Sequence, residues 1–227
     1  MRWPSSSRSW PAEARSPGRR PLLGSALGAA ALLLAPRIVV AGAQRYEPMA
    51  DAVRLALAAQ IADSRPPVRE FADPQERAAF VDWLGQMAQR LERRKPESQA
   101  RSEFLRTLDY EATRAGLDRQ MVLGLIQVES NFRKYAISSA GARGYMQVMP
   151  FWTRVLGDGD PRRLFDLRAN LRYGCVILRH YIDLERGDLF LALGRYNGSR
   201  GRPEYPNAVL AAWSNHWSFE SLAKPRA

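Results

Sequence analysis

Cysteine and histidine are nearly missing from this chain of 227 residues: Cys175 is the only thiol, and His180 and His216 are the only imidazoles. One cysteine closes no internal disulfide. Two separated histidines and a lone thiol do not form a cluster with metal-ligand spacing. The sequence therefore reads as metal-free and cofactor-free, with Cys175 on an apolar helical stripe as a small core residue. Also missing are strand-length runs of period-two alternation, any internal repeat, and an apolar run of the roughly 20 residues that span a membrane. Acidic residues thin out in one place. Between Asp118 and Asp158 the only one is Glu129.

Hydrophobic residues make up 46% of the chain, enough for a real core, and the formal net charge is +11. Residues 1–43 carry Arg2, Arg8, Arg15, Arg19, Arg20 and Arg37 against Glu13 alone, a net +5 that leaves +6 for the remainder. That balance is basic without being extreme, and no nucleic-acid partner is expected. The run Arg93-Arg94-Lys95-Pro96 is read as an exposed basic helix end at a boundary.

The same front segment has the layout of an export signal. Arg19-Arg20 precede an apolar stretch, residues 22–35, and Ala41-Gly42-Ala43 offers a small-residue cleavage pattern before Gln44. The expected location is outside the cytoplasm, in the periplasm. If the segment is retained as an N-terminal anchor, the location is the cell envelope, with membrane association through that end. A faint twin-arginine pattern leaves the export route open.

The expected fold class is all-α. Residues 46–62 and 76–93 read as two helices of an N-terminal extension over 44–97, ahead of a domain over 98–215 and a tail over 216–227. Phe80, Val81, Leu84, Met87, Ala88 and Leu91 recur at helical spacing and are expected to pack on a core. Phe104, Leu105, Leu108 and Ala112 share a face of the next helix, which Gly116 closes. Asp118 caps the helix that carries Glu129. A short helix near residues 145–149 and another towards Leu156 are expected. Asp166 caps a long helix, Asp188 begins another that ends at Gly198, and residues 203–213 form the last helical piece.

Val122, Leu125 and Ile126 lie seven, four and three residues before Glu129, so the carboxylate shares the apolar face of its helix. A carboxyl group placed there loses hydration, which raises its pKa and favours the protonated form. A proton-bearing acid beside a polar loop has the chemistry of a general acid. The bland alternative is an exposed helix-end carboxylate paired with Arg133 at i+4.

Five elements follow in order: Glu129-Ser130-Asn131-Phe132, the small-residue segment 138–144, Met146-Gln147-Val148-Met149-Pro150, Asn170-Leu171 with Gly174, and residues 192–198 with Tyr196-Asn197-Gly198. Together they resemble the soluble lytic transglycosylase (SLT) catalytic domain of the lysozyme-like superfamily, over about half the chain. The resemblance implies a helical lysozyme-like fold with a long cleft, peptidoglycan glycan strands as substrate, and Glu129 as the single catalytic residue. Cleavage of the MurNAc–GlcNAc β-1,4 bond with closure of a 1,6-anhydromuramyl end is what it implies for the reaction. The substrate-binding positions it implies are Ser138, Gly144, Tyr145, Met146, Gln147, Tyr196 and Asn197. Tyr196 is there expected to orient Glu129, and Tyr145 stands where the family usually has leucine.

Taken singly, Tyr196 reads as a core tyrosine and Ser138 as a turn cap. A retaining glycosidase needs a second carboxylate about 5 Å from the acid. None is near Glu129 in sequence, so attack by the substrate's own hydroxyl is an economical route. Two other readings stay open: a non-catalytic peptidoglycan-binding or assembly module, and a hydrolytic lysozyme of the goose type. A secretion, conjugation or pilus apparatus is the partner that the family suggests.

Overall fold

The computed structural model describes residues 44–63, 65 and 68–220; the export-signal reading of residues 1–43 lies outside them. Among the described residues there are eight α-helices and no strand beyond two isolated bridges. The fold is all-α.

An extended strap, residues 44–50, leads into α1 (Asp51–Ala62). The helix expected from residue 46 therefore starts five residues later. Pro48 lacks a backbone N–H and disfavours helical geometry at Glu47 before it. The second helix, α2 (Pro74–Leu91), is capped by Asp73, whose side chain accepts from the Glu76 amide. Phe80, Trp83, Met87 and Leu91 are its buried stripe, packed against α3 (Ser98–Arg114). The central helix α4 (Arg119–Ser130) starts at Asp118, which accepts from the amides of Gln120 and Met121 at 2.7 and 3.0 Å.

α5 (Phe151–Leu156) and a single 3-10 segment (Pro161–Phe165) lead to α6 (Leu167–Leu184), capped by Asp166. Asp188 caps α7 (Leu189–Asn197), which Gly198 closes in the left-handed region. α8 (Glu204–Ala212) runs into one turn of π-helix (Trp213–Trp217). This last turn runs two residues past residue 215, where the sequence reading ended the domain before a tail over 216–227. Trp217 is buried, its ring 5.2 Å from Phe132 and its indole N–H donating to Gln127.

α4 packs on α8, α6 on α3 and α7, and α1 against α5 and α6. Two buried acids fix these layers. Glu111 of α3 accepts both Nε and Nη2 of Arg172 on α6, at 2.8 to 3.2 Å, and pairs with Arg114 at 3.2 Å. Asp109 lies between Arg69 and Arg119, each 2.5 Å away, tying the approach to α2 onto α3 and α4. Charges removed from water this completely are tolerated only when paired, so each acid specifies how its helices dock.

Candidate active site

α4 buries Val122, Leu125 and Ile126 completely, and Glu129 on the same face is 5% exposed. The helix then stops abruptly. Asn131 (φ +48°) and Phe132 (φ +63°) are consecutive non-glycine residues in the left-handed region, an arrangement that needs outside support. Support comes from the Phe132 ring, held near Phe104 and Trp217, and from Arg94, which donates to the Asn131 side chain at 2.8 Å. The reversal leaves Glu129 in the last turn of the helix, against the core and next to the loop that follows. Arg133 does not reach it; its Nε donates to the Ser130 carbonyl.

The Glu129 carboxyl group accepts a 2.5 Å hydrogen bond at Oε1 from the hydroxyl of Tyr205, on α8. Its other oxygen, Oε2, is buried without a protein partner. Burial pushes the Glu129 pKa up to about 8, against the opposing pull of the Tyr205 hydrogen bond. Burial thus favours the protonated form of the group. Burial and the neighbouring Glu129 charge in turn push the Tyr205 hydroxyl well above its ordinary value, so it remains a donor.

Three acids distant in sequence, Asp109, Asp166 and Asp188, are the candidates for a second carboxylate folded inward, and each is occupied elsewhere. Asp109 is held by its two arginines, Asp166 caps α6 through the Ala169 amide, and Asp188 caps α7 through the Leu191 amide.

The Gly144–Gln147 segment is a tight turn between bridges at Arg143 and Val148, where a short helix was expected. Gly144 (φ +75°) explains why. A Cβ there would lie 2.4 Å from both the Asn170 side chain and the Leu164 carbonyl. Asn170 reads the turn from both sides, accepting from the Met146 amide at 2.8 Å and donating to the carbonyls of Arg143 and Leu164. Ser130 Oγ donates to the Tyr145 carbonyl at 2.7 Å. Gly174 on α6 makes room for Met146, whose sulfur sits 2.3 Å from where a Cβ would be.

The Tyr196 hydroxyl is not hydrogen-bonded to Glu129. It donates to the Met146 carbonyl at 2.7 Å, so it fixes the turn beside the acid, and Tyr205 supplies the hydrogen bond expected of it. Tyr205 was missed because nothing local marks it: 76 residues separate it from Glu129, and its own surroundings read as the start of an apolar helix.

Tyr145 also departs from its expected place. Its side chain is buried, the ring 4.9 Å from Phe104 and the hydroxyl accepting from Lys95 Nζ at 2.9 Å. The side chain thus packs between α3 and the segment that follows α2. Ser138 Oγ accepts from the Ala142 amide at 3.1 Å and so caps the 138–142 turn. Gln147 donates its amide protons to the carbonyls of Ala136 and Gly144, and Met146 is wholly buried. Asn197 donates to Ser199 and has a buried, unpartnered Oδ1. Cys175 is a buried core thiol whose pKa burial drives upward.

An all-helical body that holds one carboxyl group in an apolar wall, opposite a phenol, is a lysozyme-like arrangement. Comparison with known proteins narrows this: residues 106–207 match the model of the Transglycosylase SLT domain. Membrane-bound lytic murein transglycosylase C of Haemophilus influenzae (strain PittEE) is 32% identical over 128 residues, covering 50% of this chain and 34% of the relative. The protein of the same name from Histophilus somni (strain 2336) is 47% identical over 119 residues, covering 46% and 31%. A transglycosylase of Enterobacteria phage PRD1 is 29% identical over 115 residues, covering 48% and 42%. The chain thus spans only about a third of the bacterial relatives' length. No helix among the described residues is long and apolar enough to cross a membrane.

Proposed function

We propose that this chain is a peptidoglycan lytic transglycosylase in which Glu129 is acid and then base. The observation that carries the reading is the solitary, protonated Glu129 carboxyl held by Tyr205, with the three candidate second carboxylates tied up elsewhere. Glu129 gives its proton to the glycosidic oxygen between MurNAc and GlcNAc as the C1–O bond breaks. The resulting carboxylate takes the proton of the muramyl C6 hydroxyl while O6 bonds to C1, which leaves a 1,6-anhydro end. No water is consumed, and the proton Glu129 gave is restored. A pKa near the working pH suits a group that must act in both directions. Tyr205 holds the carboxyl in one rotamer and steadies the anion formed between the two steps. Tyr196, Asn170 and Ser130 hold the adjoining turn rigid.

Incubation with sacculi followed by mass spectrometry tests this directly. Anhydromuramyl products are expected from the full chain, and Glu129→Gln should lose at least about a hundred-fold in rate. Products with reducing ends only would assign a hydrolytic lysozyme. Binding to sacculi without turnover would assign a non-catalytic wall-binding module. The substrate places the protein in the cell envelope, and a secretion, conjugation or pilus apparatus is the kind of partner that needs such local cleavage.

A further inference from the structure

The strap formed by residues 44–50 is not part of the SLT match, yet its first side chain reaches Trp152 and Tyr196. Gln44 is 3% exposed, which is unusual for a polar residue in a segment without regular structure. Its Oε1 accepts from Trp152 Nε1 at 3.0 Å and lies 3.5 Å from the Met149 amide, at the head of α5. The same side chain lies beside the Tyr196 hydroxyl, which also feels the charge of Glu129. Nε2 of Gln44 is buried without a partner.

A residue selected for packing would not place a carboxamide there. Leaving a buried amide nitrogen unpaired costs about 1 to 3 kcal/mol, and an apolar side chain would avoid it. A carboxamide on a methylene arm does, however, match the acetamido group of an N-acetyl sugar: one carbonyl acceptor, one nitrogen, one short apolar arm. Glu129, meanwhile, is too covered to meet a glycosidic oxygen at the roughly 2.6 to 3.2 Å that proton transfer requires. Something must move before a strand can reach it. Elsewhere the strap is held by contacts that release easily. Glu47 pairs with Arg195 on α7, and the half-exposed Tyr46 ring meets the edge of Phe151 at 5.9 Å.

We propose that residues 44–50 are a self-bound strap that occupies part of the glycan path, with the Gln44 carboxamide standing in for a substrate acetamido group at Trp152 Nε1. This rests on the glycan-cleaving reading above. A strand must displace the strap to bind, so the free protein is held partly closed, and any event that draws the strap away opens the site.

The test uses the full chain carrying Glu129→Gln, with tetra-N-acetylchitotetraose as probe, and measures affinity by calorimetry. Adding Gln44→Ala should tighten binding about five-fold, because a competing internal ligand is weakened. Glu47→Gln, which loosens the strap from Arg195 without touching the site, should change affinity in the same direction. Unchanged or weaker affinity in both variants overturns the proposal. If the chain carrying Glu129 still makes anhydromuramyl ends in that case, only the strap is refuted. If the probe binds no variant and sacculi stay intact, the functional reading falls and the strap proposal with it.

Discussion

The Tyr205 hydroxyl donates to Oε1 of Glu129 at 2.5 Å, joining the start of α8 to the last turn of α4. This hydrogen bond favours the carboxylate and so opposes the upward push of burial. Removing it with Tyr205→Phe should raise the Glu129 pKa further. The alkaline limb of the pH–rate profile, expected near pH 8 in the unaltered protein, should move to higher pH. Loss of orientation should cost about ten-fold in kcat. A pH–rate profile of the variant checks both, and an unmoved limb would mean that Tyr205 does not act on the acid.

Glu129 also makes stability depend on pH. Its folded pKa, about 8, is above the ordinary 4.5 of the unfolded chain, so between these values the native state holds more protons than the unfolded state. Stability therefore falls as pH rises through that window, at up to about 1.4 kcal/mol per pH unit. Below pH 4.5 both states are protonated and the effect vanishes. Thermal melts of the unaltered chain and Glu129→Gln should diverge from pH 5 to pH 8, with the glutamine variant the more resistant at the upper end. Parallel curves would refute the raised pKa.

Gly144 has no room for a methyl group. Ala in its place meets Asn170 and the Leu164 carbonyl at 2.4 Å and must hold φ near +75°. Gly144→Ala should lose about 3 kcal/mol of stability, read as a drop of roughly 10 °C in Tm. Activity should fall with it, because the turn that Tyr196 and Asn170 fix is displaced.

Tyr145→Phe separates packing from substrate contact. It deletes the hydroxyl that accepts from Lys95 and leaves the ring against Phe104. Stability should drop by about 1 kcal/mol while KM for sacculi stays unchanged. A raised KM with unaltered stability would return Tyr145 to the substrate path.

Much of this was legible in the order of residues. Helix periodicity, the caps Asp118, Asp166 and Asp188, and the closing residues Gly116 and Gly198 mark most helices, because these signals act within a turn or two of chain. The placement of Glu129 on a buried face followed from the same 3.6-residue period, and its raised pKa from that face. Short-range signals failed where the backbone answers to distant partners. Residues 144–147 form a turn because Asn170 and Leu164 crowd Gly144, and residues 46–50 stay extended where a helix was expected.

What the chain determined by itself is an all-helical body with one acid set into an apolar stripe, since burial follows from periodicity. Only the tertiary structure decided which phenol serves that acid. Tyr196 and Tyr205 lie nine residues apart on successive helices. The packing of α7 and α8 against α4 turns one towards the Met146 carbonyl and the other towards Glu129. The same packing brings Gln44 beside Tyr196. Hydrogen bonds act over about 3 Å of space, whatever the separation along the chain, so these pairings exist only once the helices have met.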